Sequence, residues 1–391
     1  MRNKIFSIIA LAGCMAVSAQ ETCVINGRIG DNQLADGKKV KVVQLTRTNE
    51  FGQTSTVATA KVKKGAYTFK YTLAPGEPVL QYAITGFGEG KSIGLFVEPG
   101  EVAVNTSTAA QPEQSTVAGT PTNDTYAAYQ AIAAEGQGRV AQQVAALEAL
   151  HGTAWLESAE GKLEVKRIKA QEAIKIEAEE LRFLIDHNAS PMTPMVIEQS
   201  QFPKLSAAYG EQMTKTIAVS LQQHPYYHSL RNTMLASTLK AGTEAPDITL
   251  PLLSGETKHL SDYRGKHVIL NFWSDAAQAA EMMTELQSVY DLTREQRDGF
   301  VILSISLASD AAAWREAVKA LGIDREGWLH ACDGAGAHSP AAKRYGVEET
   351  PRIILIEPEG HAVSLDMEID ELALRIEQIL SGDLYYLDEV K

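Results

Sequence analysis

Residues 241–391 alternate between apolar runs and segments of helical period, and this alternation constrains the fold more than any other feature. His267–Trp273 and Phe300–Leu307 are almost continuous apolar runs of strand length, which is typical of strands buried on both faces of a sheet. The segments that follow them, Ala276–Thr293 and Ala311–Leu321, are predicted helices. Strands joined in this way by helices predict an α/β domain with helices on each side of the sheet.

This domain is predicted to close with a hairpin and a helix. Arg352–Glu357 and Ala362–Met367 flank a turn signal, Pro358-Glu359-Gly360. Glu368–Leu380 then has the period of a final helix.

The region from Cys23 to about Thr108 is rich in short strand-like runs separated by glycine and proline. Lys63-Lys64-Gly65 is predicted to form a hairpin turn, and Glu98-Pro99-Gly100 marks a second break. The regular spacing predicts an antiparallel β-sandwich or barrel. The candidate strands are Val40–Leu45, Ser55–Val62, Ala66–Leu73, Val79–Thr85 and Ile93–Asn105.

Between these two regions the apolar period becomes helical. Apolar residues recur every three or four positions, which predicts amphipathic helices whose charged positions form solvated faces. The second helix is expected from about Lys162 to His187, ending before Pro191, a length of roughly 40 Å. The recurring positions are Tyr126, Tyr129, Ile132, Val140, Val144 and Leu147, then Ile174, Ala178, Leu181 and Ile185.

His224 and His228 stand four residues apart, a spacing that can place two imidazoles on one helical face as metal ligands. Pro225 lies between them and argues against a helix there, and no glutamate adjoins either histidine. A structural or surface role is therefore preferred, and neither a metal site nor a cofactor is predicted.

The amino terminus resembles an export signal, with Arg2 and Lys4 ahead of the apolar run Ile5–Val17. Two processing sites compete: Val17-Ser18-Ala19 suits signal peptidase, whereas Leu11-Ala12-Gly13-Cys14 matches a lipobox that would lipidate Cys14. We therefore expect an exported protein of the periplasm or cell envelope, with membrane attachment only through a lipid on Cys14. The predicted segments are a signal peptide at 1–19, a β-rich domain at 20–110, a helical region at 111–240 and an α/β domain at 241–391.

Charge and cysteine content exclude several classes of protein. The chain has 36 Lys+Arg against 49 Asp+Glu, a net charge of −13, and losing Arg2 and Lys4 with the signal would make it −15. This acidity argues against nucleic-acid binding. The three cysteines, at positions 14, 23 and 332, are too few for a disulfide framework.

Three segments in order resemble the TlpA/ResA group of extracytoplasmic thioredoxin-like proteins: Ala245–Leu250, Leu260–Lys266 and Val268–Trp273. Tyr345-Gly346-Val347 with Thr350-Pro351 is similar to the segment carrying that family's cis-proline. The resemblance covers residues 241 to about 382 and implies a thioredoxin-like fold. The upstream regions resemble the DUF4369 extension of Bacteroidetes proteins, through weaker motifs at Glu98-Pro99-Gly100 and Gly119-Thr120.

The chain differs from the family at the positions that carry the family's reactive thiols. Thioredoxin-type exchange needs a thiolate at a helix start and a second thiol three residues on. Aligned from Trp273, these positions are Ala277 and Ala280; aligned from the following helix, they are Ala276 and Ala279. Both alignments place alanine twice, so the site is expected to be degenerate.

Cys332 is the remaining thiol of this domain. It can be interpreted as a redox-sensing thiol or as a small side chain buried in a strand, and the second interpretation is preferred. Asp333 beside it would raise its pKa rather than lower it. Cys23 lies near the expected mature start, where a flexible, incidental thiol is predicted.

The family uses its cis-proline to expose the preceding backbone, here that of Thr350, and extended peptides can pair with such a backbone. A groove between Trp273, the Ala276–Ala280 turn and Thr350 is therefore expected to hold a peptide, with Gln278 and Pro351 also in the binding site. The resulting hypothesis is an exported, non-catalytic binding or assembly module for an envelope protein or extended peptide. The alternative is a thiol-disulfide oxidoreductase or peroxidase that uses a thiol such as Cys332, and a ligand carrier in the β-rich domain is a third possibility.

Overall fold

The structure, a computed structural model, describes residues 21–49, 53–201, 207–274, 276–296 and 299–382. They form two compact units, one made of residues up to Thr46 with Thr56–Ala127, and one of Arg47–Ser55 with the residues from Ala128 onward. The predicted signal segment, including Cys14, lies outside the described residues. Within the described ranges, no helix has both the length and the apolar character needed to cross a membrane.

The amino-terminal unit contains two four-stranded sheets with strand orders β4-β1-β7-β8 and β3-β2-β5-β6. Strands β1 and β7 pair in parallel, and the other pairs with an assigned register are antiparallel. The predicted β-rich fold is confirmed, although β1 was not among the predicted strands. The strands are β1 Thr22–Asp31, β2 Val42–Thr48, β3 Thr54–Lys61, β4 Ala66–Thr72, β5 Leu80–Thr85, β6 Ile93–Val97, β7 Gly100–Thr108 and β8 Thr116–Ala118.

The predicted turn at Lys63-Lys64-Gly65 is present between β3 and β4. Lys63 and Ala66 exchange backbone hydrogen bonds of 2.9 and 3.0 Å. Lys64 and Gly65 have φ values of 50° and 75°, the positive values that a tight hairpin turn of this kind requires. Because β3 and β4 belong to different sheets, the turn carries the chain from one sheet to the other.

The motif at Glu98 joins the β-rich region to the first helix, α1 Pro121–His151. The buried Glu98 carboxylate accepts hydrogen bonds from the backbone N–H of Thr122 at 2.7 Å and from its hydroxyl at 2.8 Å. A β-carbon on Gly119 would lie 2.5 Å from the carbonyl oxygen of Glu101, so only glycine fits there. Glu98 thus caps the helix from the preceding strand end.

Among the described residues between the two predicted sheet domains, the structure has six α-helices. The second long helix begins at Ala159, three residues before its predicted start, because the Ser158 hydroxyl accepts the Gly161 N–H at 3.1 Å and caps it. It ends at Asp186, as predicted to within one residue. After α1, the helices are α2 Thr153–Leu156, α3 Ala159–Asp186, α4 Met192–Val196, α5 Ala207–Thr216 and α6 Pro225–Ser237.

The buried face of α3 differs from the prediction. Ile168, Glu172 and Leu184 are buried, whereas the predicted apolar positions Ile174 and Ile185 are exposed. The expectation that the charged positions of this helix form a solvated face is therefore wrong at Glu172. Its carboxylate is paired with the guanidinium of Arg139 in α1, which compensates for the loss of water around the charge.

The carboxy-terminal domain has a five-stranded sheet of order β13-β12-β11-β14-β15. Strands β11, β12 and β13 are parallel, and β14 and β15 are antiparallel to their neighbours. The predicted α/β domain is confirmed. Its strands are β9 Thr249–Pro251, β10 Thr257–His259, β11 His267–Trp273, β12 Phe300–Ser306, β13 Trp328–Ala331, β14 Arg352–Ile356 and β15 Ala362–Ser364; its helices are α7 Ala276–Thr293, α8 Ala311–Leu321, α9 Pro340–Arg344 and α10 Ile369–Ser381.

Apolar side chains cover both faces of this sheet. On one face, Ile269 and Ile302 belong to a core completed by α7, α8 and α10. On the other face, Leu270 and Phe272 pack with the β9 strand and with α9. Alternate residues of each strand point to opposite faces, so burial on both sides accounts for the nearly continuous apolar runs in the sequence.

Candidate functional site

The candidate site lies where β11 ends and α7 begins. The strand ends at Trp273 and the helix begins at Ala276, the position at which the thioredoxin-like family carries its thiols. Ala279 is buried in the core and Ala280 is half-buried. The side chains of Ala276, Ala277 and Gln278 lie outside the described residues, so the predicted role of Gln278 stays a prediction.

The second part of the site is the segment before β14. The Thr350–Pro351 peptide bond is cis, as the resemblance implied. The hydroxyl of Ser274 lies 2.6 Å from that of Thr350, within hydrogen-bond distance. Because β11 and β14 pair only as far as Phe272 and Arg352, this hydroxyl contact holds together two segments that have left the sheet.

A groove with a volume of about 670 Å³ opens beside these two hydroxyls. Leu307 and Val347 supply apolar surface, while Lys343 and Glu348 supply one charge of each sign. This combination suits an extended chain that carries both apolar and polar groups. The lining residues are Ser274, Leu307, Ala342, Lys343, Gly346, Val347, Glu348 and Thr350.

Trp273 does not line this groove, although it was expected to contribute to the binding surface. Its side chain is 2% exposed and belongs to the core beneath α7. The alternation of side chains along a strand explains this position, since Trp273 points to the same face as Ile269, under the helix. The exposed side chain at the strand end is instead that of Ser274.

A row of buried polar groups crosses the sheet beneath α7. Asn271, Ser304 and His330 are in register on the three parallel strands. Ser304 accepts hydrogen bonds from the Asn271 amide at 3.2 Å and from the Trp328 indole N–H at 2.9 Å. Among the described residues of this domain, no aspartate or glutamate is buried, so this row holds neutral groups and no carboxylate that would accept a proton.

Cys332 directly follows β13 and is 8% exposed. Its thiol lies 3.4 Å from the carbonyl oxygen of Ala308. Burial raises the pKa of the Cys332 thiol, and the negative charge of Asp333 raises it further. The expectation of a buried side chain is confirmed, and the raised pKa keeps the sulfur in its less reactive thiol form.

Cys23 occupies a different environment from the one predicted. It lies in β1, is fully buried and pairs across the sheet with Tyr71 and Gly100. Burial raises the pKa of its thiol. The expectation of a flexible thiol near the start of the mature chain is therefore wrong, because the strand begins one residue before it.

The histidine pair has a structural explanation. The His224 ring nitrogen accepts the backbone N–H of Tyr226 at 3.2 Å and caps α6. Pro225 is the first residue of that helix, a position that tolerates proline, so its presence does not argue against a helix. No group of three or more metal-ligating side chains is assembled anywhere in the described part of the chain.

Among the described residues, no thiol lines the groove. Sequence reasoning missed Ser274, Lys343 and Glu348. The position of Ser274 directly after an apolar strand was a usable signal, because residues at the carboxyl end of a parallel strand line ligand sites in α/β folds. Lys343 and Glu348 carry no comparable signal.

Two family models match the chain. Residues 23–126 match DUF4369, a domain of unknown function, and residues 241–364 match the AhpC/TSA family. The two matches are separated by the helical region. The chain thus combines a DUF4369 domain with a thioredoxin-like AhpC/TSA domain, the combination that the sequence motifs suggested.

Relatives with thioredoxin-like or thiol-disulfide oxidoreductase names match part of the chain. The chain is 32% identical over 71 residues to the thioredoxin-like protein YneN of Bacillus subtilis. This match covers 18% of this chain and 41% of that protein. It is 28% identical over 134 residues to the thiol-disulfide oxidoreductase ResA of Geobacillus thermodenitrificans, spanning 32% of this chain and 67% of the relative. A second ResA, from Geobacillus kaustophilus, is 36% identical over 72 residues, 18% of this chain and 40% of that protein.

Solved structures also match part of the chain. The thioredoxin domain of a thiol-disulfide oxidoreductase from Bacteroides vulgatus is 26% identical, with a TM-score of 0.33, and the match covers 36% of this chain and 98% of that one. A thiol-disulfide oxidoreductase from Bacteroides fragilis is 28% identical, with a TM-score of 0.33, covering 35% of this chain and 99% of that one.

Proposed function

We propose that this chain, in which a DUF4369 domain precedes a thioredoxin-like AhpC/TSA domain, is an exported binding or assembly protein of the cell envelope. Its thioredoxin-like domain would hold an extended peptide without exchanging disulfides. The observation that carries this proposal is an open groove at Ser274 and Thr350 beside a helix start that has alanine at both thiol positions.

The chemical argument starts from what disulfide exchange requires. A thiolate attacks one sulfur of a disulfide, forms a mixed disulfide and releases the other sulfur as a thiolate. A second thiol then attacks the sulfur of the first, forms a disulfide with it and releases the remaining substrate sulfur as a thiolate. An alanine methyl group has no lone pair with which to begin this sequence. In both possible alignments the chain has alanine at each thiol position, namely Ala276 with Ala279 or Ala277 with Ala280.

The binding argument rests on the groove. Thr350 lies at its edge, so a peptide laid along the groove would have the Thr350 backbone available for strand-like pairing. Lys343 and Glu348 would contact polar or charged groups of the peptide, and Leu307 and Val347 would contact its apolar side chains. Binding by main-chain hydrogen bonds and side-chain contacts requires no thiol.

Activity through Cys332 is disfavoured by its environment. The thiol is buried, its pKa is raised, and it is not among the residues that line the groove. A nucleophilic cysteine needs the opposite conditions, namely exposure and a lowered pKa.

The test of the redox part compares two double variants with the wild-type protein in an insulin reduction assay with dithiothreitol. Ala277→Cys with Ala280→Cys is expected to introduce activity, since the fold around the helix start is retained. Ala276→Cys with Ala279→Cys is the matched control, because Ala279 is buried and a thiol there would be shielded. Wild-type activity that disappears in Cys332→Ala would overturn the proposal.

The test of the binding part places a photocrosslinking amino acid at Val347 in the groove, and a control at the exposed Lys319 of α8. After irradiation of intact cells, we expect a discrete adduct from the Val347 position that is lost when Thr350 is also changed to proline, which removes the backbone N–H. Equal adducts from both positions, or none from Val347, would contradict peptide binding in the groove.

A further inference from the structure

One peptide unit near the start of the carboxy-terminal domain is held from two sides. This unit joins Pro246 to Asp247. Its N–H, which belongs to Asp247, donates to the amide oxygen of Asn232 in α6 at 3.2 Å. Its carbonyl, which belongs to Pro246, accepts the hydroxyl of Tyr345 at 2.8 Å. Tyr345 directly follows α9, so a single peptide unit connects α6 with the end of α9.

The planarity of this unit makes its two hydrogen bonds depend on each other. A peptide unit is rigid about its C–N bond, so its N–H and its carbonyl rotate together. The orientation in which Asn232 accepts the N–H is therefore also the one in which Tyr345 donates to the carbonyl. Asn232 and Tyr345 are 8% and 5% exposed, so a lost partner is not readily replaced by water.

The chain on either side of this unit is anchored to the rest of the domain. Ala245 donates its N–H to the carbonyl of Gly360 at 2.9 Å, and the carbonyl of Ile248 accepts the N–H of Leu260 at 3.0 Å. With both flanks fixed, the local freedom that remains is a rotation of the peptide units between them. The side chains bound to these units set that rotation.

The next carbonyl is bound from α9 as well. The carbonyl oxygen of Asp247 accepts the guanidinium of Arg344 at 3.1 Å. Because proline has no N–H, the main-chain polar groups of Pro246 and Asp247 are all bound by side chains, one from α6 and two from the end of α9. The helices α6 and α9 also lie against each other directly.

An ion-pair cluster holds α6 in place beside this unit. The guanidinium of Arg231 donates to the Glu244 carboxylate at 2.7 Å, and the same carboxylate accepts Arg264 at 3.3 Å. All three side chains are about a third exposed, so solvent screens their attraction. The buried hydrogen bond of Asn232 is therefore the stronger determinant of the orientation of the unit.

The end of α9 forms one wall of the candidate groove. Ala342 and Lys343 of α9 line the groove, as do Gly346 and Val347 after it. Gly346 donates its N–H to the carbonyl of Lys343 at 3.2 Å, and Val347 donates to that of Ala342 at 2.9 Å. These bonds make the wall one piece, and Tyr345 lies in its middle.

From these contacts we infer that Asn232 is a positioning residue for the groove, and that the helical region thereby takes part in ligand binding. Asn232 does not line the groove and acts through the peptide unit and Tyr345. The effect on binding rests on the proposed function of the groove. The effect on the groove wall is measured in the protein without a ligand.

Amide hydrogen exchange in the full-length protein tests the effect on the wall. Asn232→Leu keeps a side chain of similar size and removes the acceptor. Exchange of the Gly346 and Val347 amides should then become about fivefold faster, the effect of one hydrogen bond. Asn232→Asp keeps an acceptor oxygen and should stay close to the wild type. The amides of β12 are the internal reference, because a general loss of stability would accelerate them too.

Two further variants separate positioning from general destabilisation. Tyr345→Phe removes the hydroxyl on the other side of the same peptide unit, so in the Asn232→Leu background it should accelerate exchange less than it does alone. Glu172→Gln weakens the contact between α1 and α3 and should leave both groove amides unchanged relative to β12. If Asn232→Leu does not fold, Asn232→Ala takes its place with the same expected result.

Additive effects of the substitutions at positions 232 and 345 would overturn the inference, as would equal acceleration of β12 and the groove wall. Fast exchange in Asn232→Asp would overturn it too, since that variant retains the acceptor.

The photocrosslinking amino acid at Val347 tests the effect on binding in intact cells. The adduct should fall about fivefold in Asn232→Leu and persist in Asn232→Asp. An adduct that Asn232→Leu leaves unchanged would overturn the inference and leave the proposed function intact. A wild-type protein without an adduct would contradict the proposed function, and hydrogen exchange would still decide whether Asn232 positions the wall.

Discussion

The hydroxyls of Ser274 and Thr350 lie 2.6 Å apart and join the end of β11 to the residue before Pro351. This contact forms one edge of the candidate groove and fixes the position of the Thr350 backbone relative to the strand end. A site that binds by main-chain pairing depends on that position, since a displaced backbone loses its hydrogen bonds to the ligand.

We therefore expect Ser274→Ala to weaken partner crosslinking from Val347 about fivefold, corresponding to about 1 kcal/mol for one hydrogen bond. The melting temperature should change little, because the contact is exposed. Ser274→Thr, which keeps a hydroxyl, is the control. Unchanged crosslinking in Ser274→Ala would show that the hydroxyl pair has no part in binding.

The buried ion pair between α1 and α3 should govern the acid stability of the helical region. Arg139 lowers the pKa of Glu172, so the pairing stabilises the folded state fully above the ordinary glutamate value of 4.5 and is lost as pH falls below it. Glu172→Gln should lower the melting temperature at pH 7 and reduce this acid dependence. Glu179→Gln, which removes a more exposed partner of Arg139, should have a smaller effect. Equal effects would contradict the structural role of burial.

Because Glu98 caps α1, we expect two substitutions of this residue to lower the stability of the protein by different amounts. Glu98→Ala leaves the Thr122 N–H and hydroxyl without their acceptor and should destabilise the protein by about 1–3 kcal/mol. Glu98→Gln retains an amide oxygen for the N–H and an amide group for the hydroxyl, so it should cost less. Urea unfolding followed by circular dichroism measures both, and a Gln variant as unstable as the Ala variant would show that the charge itself is required.

The burial of His330 predicts that the folded protein is less stable in mild acid. Burial lowers the pKa of its imidazole, so the folded chain binds the proton less readily than the unfolded chain does. Stability should therefore fall as pH drops below the ordinary value of 6.5, by up to about 1.4 kcal/mol per pH unit. His330→Gln should flatten this slope, whereas the exposed His228→Gln should not. Since partial burial also lowers the pKa of His267, the slope should disappear fully only in the variant that lacks both His330 and His267.

The buried cysteines predict slow thiol chemistry. Cys23 and Cys332 should not react with an aromatic disulfide reagent in the folded protein and should both react after denaturation. Cys332→Ala should cost about 1 kcal/mol by removing a buried sulfur, with no effect in the insulin assay. Rapid reaction of one thiol in the folded state would contradict the observed burial.

Several elements could be predicted closely from residue patterns. The bounds of β11, α7 and α8 agree with the apolar runs and helical periods that predicted them, because strands buried on both sides and capped helices carry strong local signals. The short strand β13 and helix α9 were not predicted as bounded elements, since four or five residues carry too weak a period. In the candidate site, Thr350 and Pro351 were found through motif resemblance, while Lys343 and Glu348 were brought to the groove by the fold.

The lack of sulfur at the start of α7 follows from the residues alone, because no arrangement of the backbone can supply a thiol that the chain does not contain there. The tertiary structure alone decides that Trp273 is buried, that Ser274 meets Thr350, and that Glu172 rather than Ile174 faces the neighbouring helix. Each of these contacts depends on which side chains the rest of the fold places next to the residue. The ion pair with Arg139 allows the charged Glu172 to be buried, although hydrophobic periodicity would predict that this face of the helix is exposed to water.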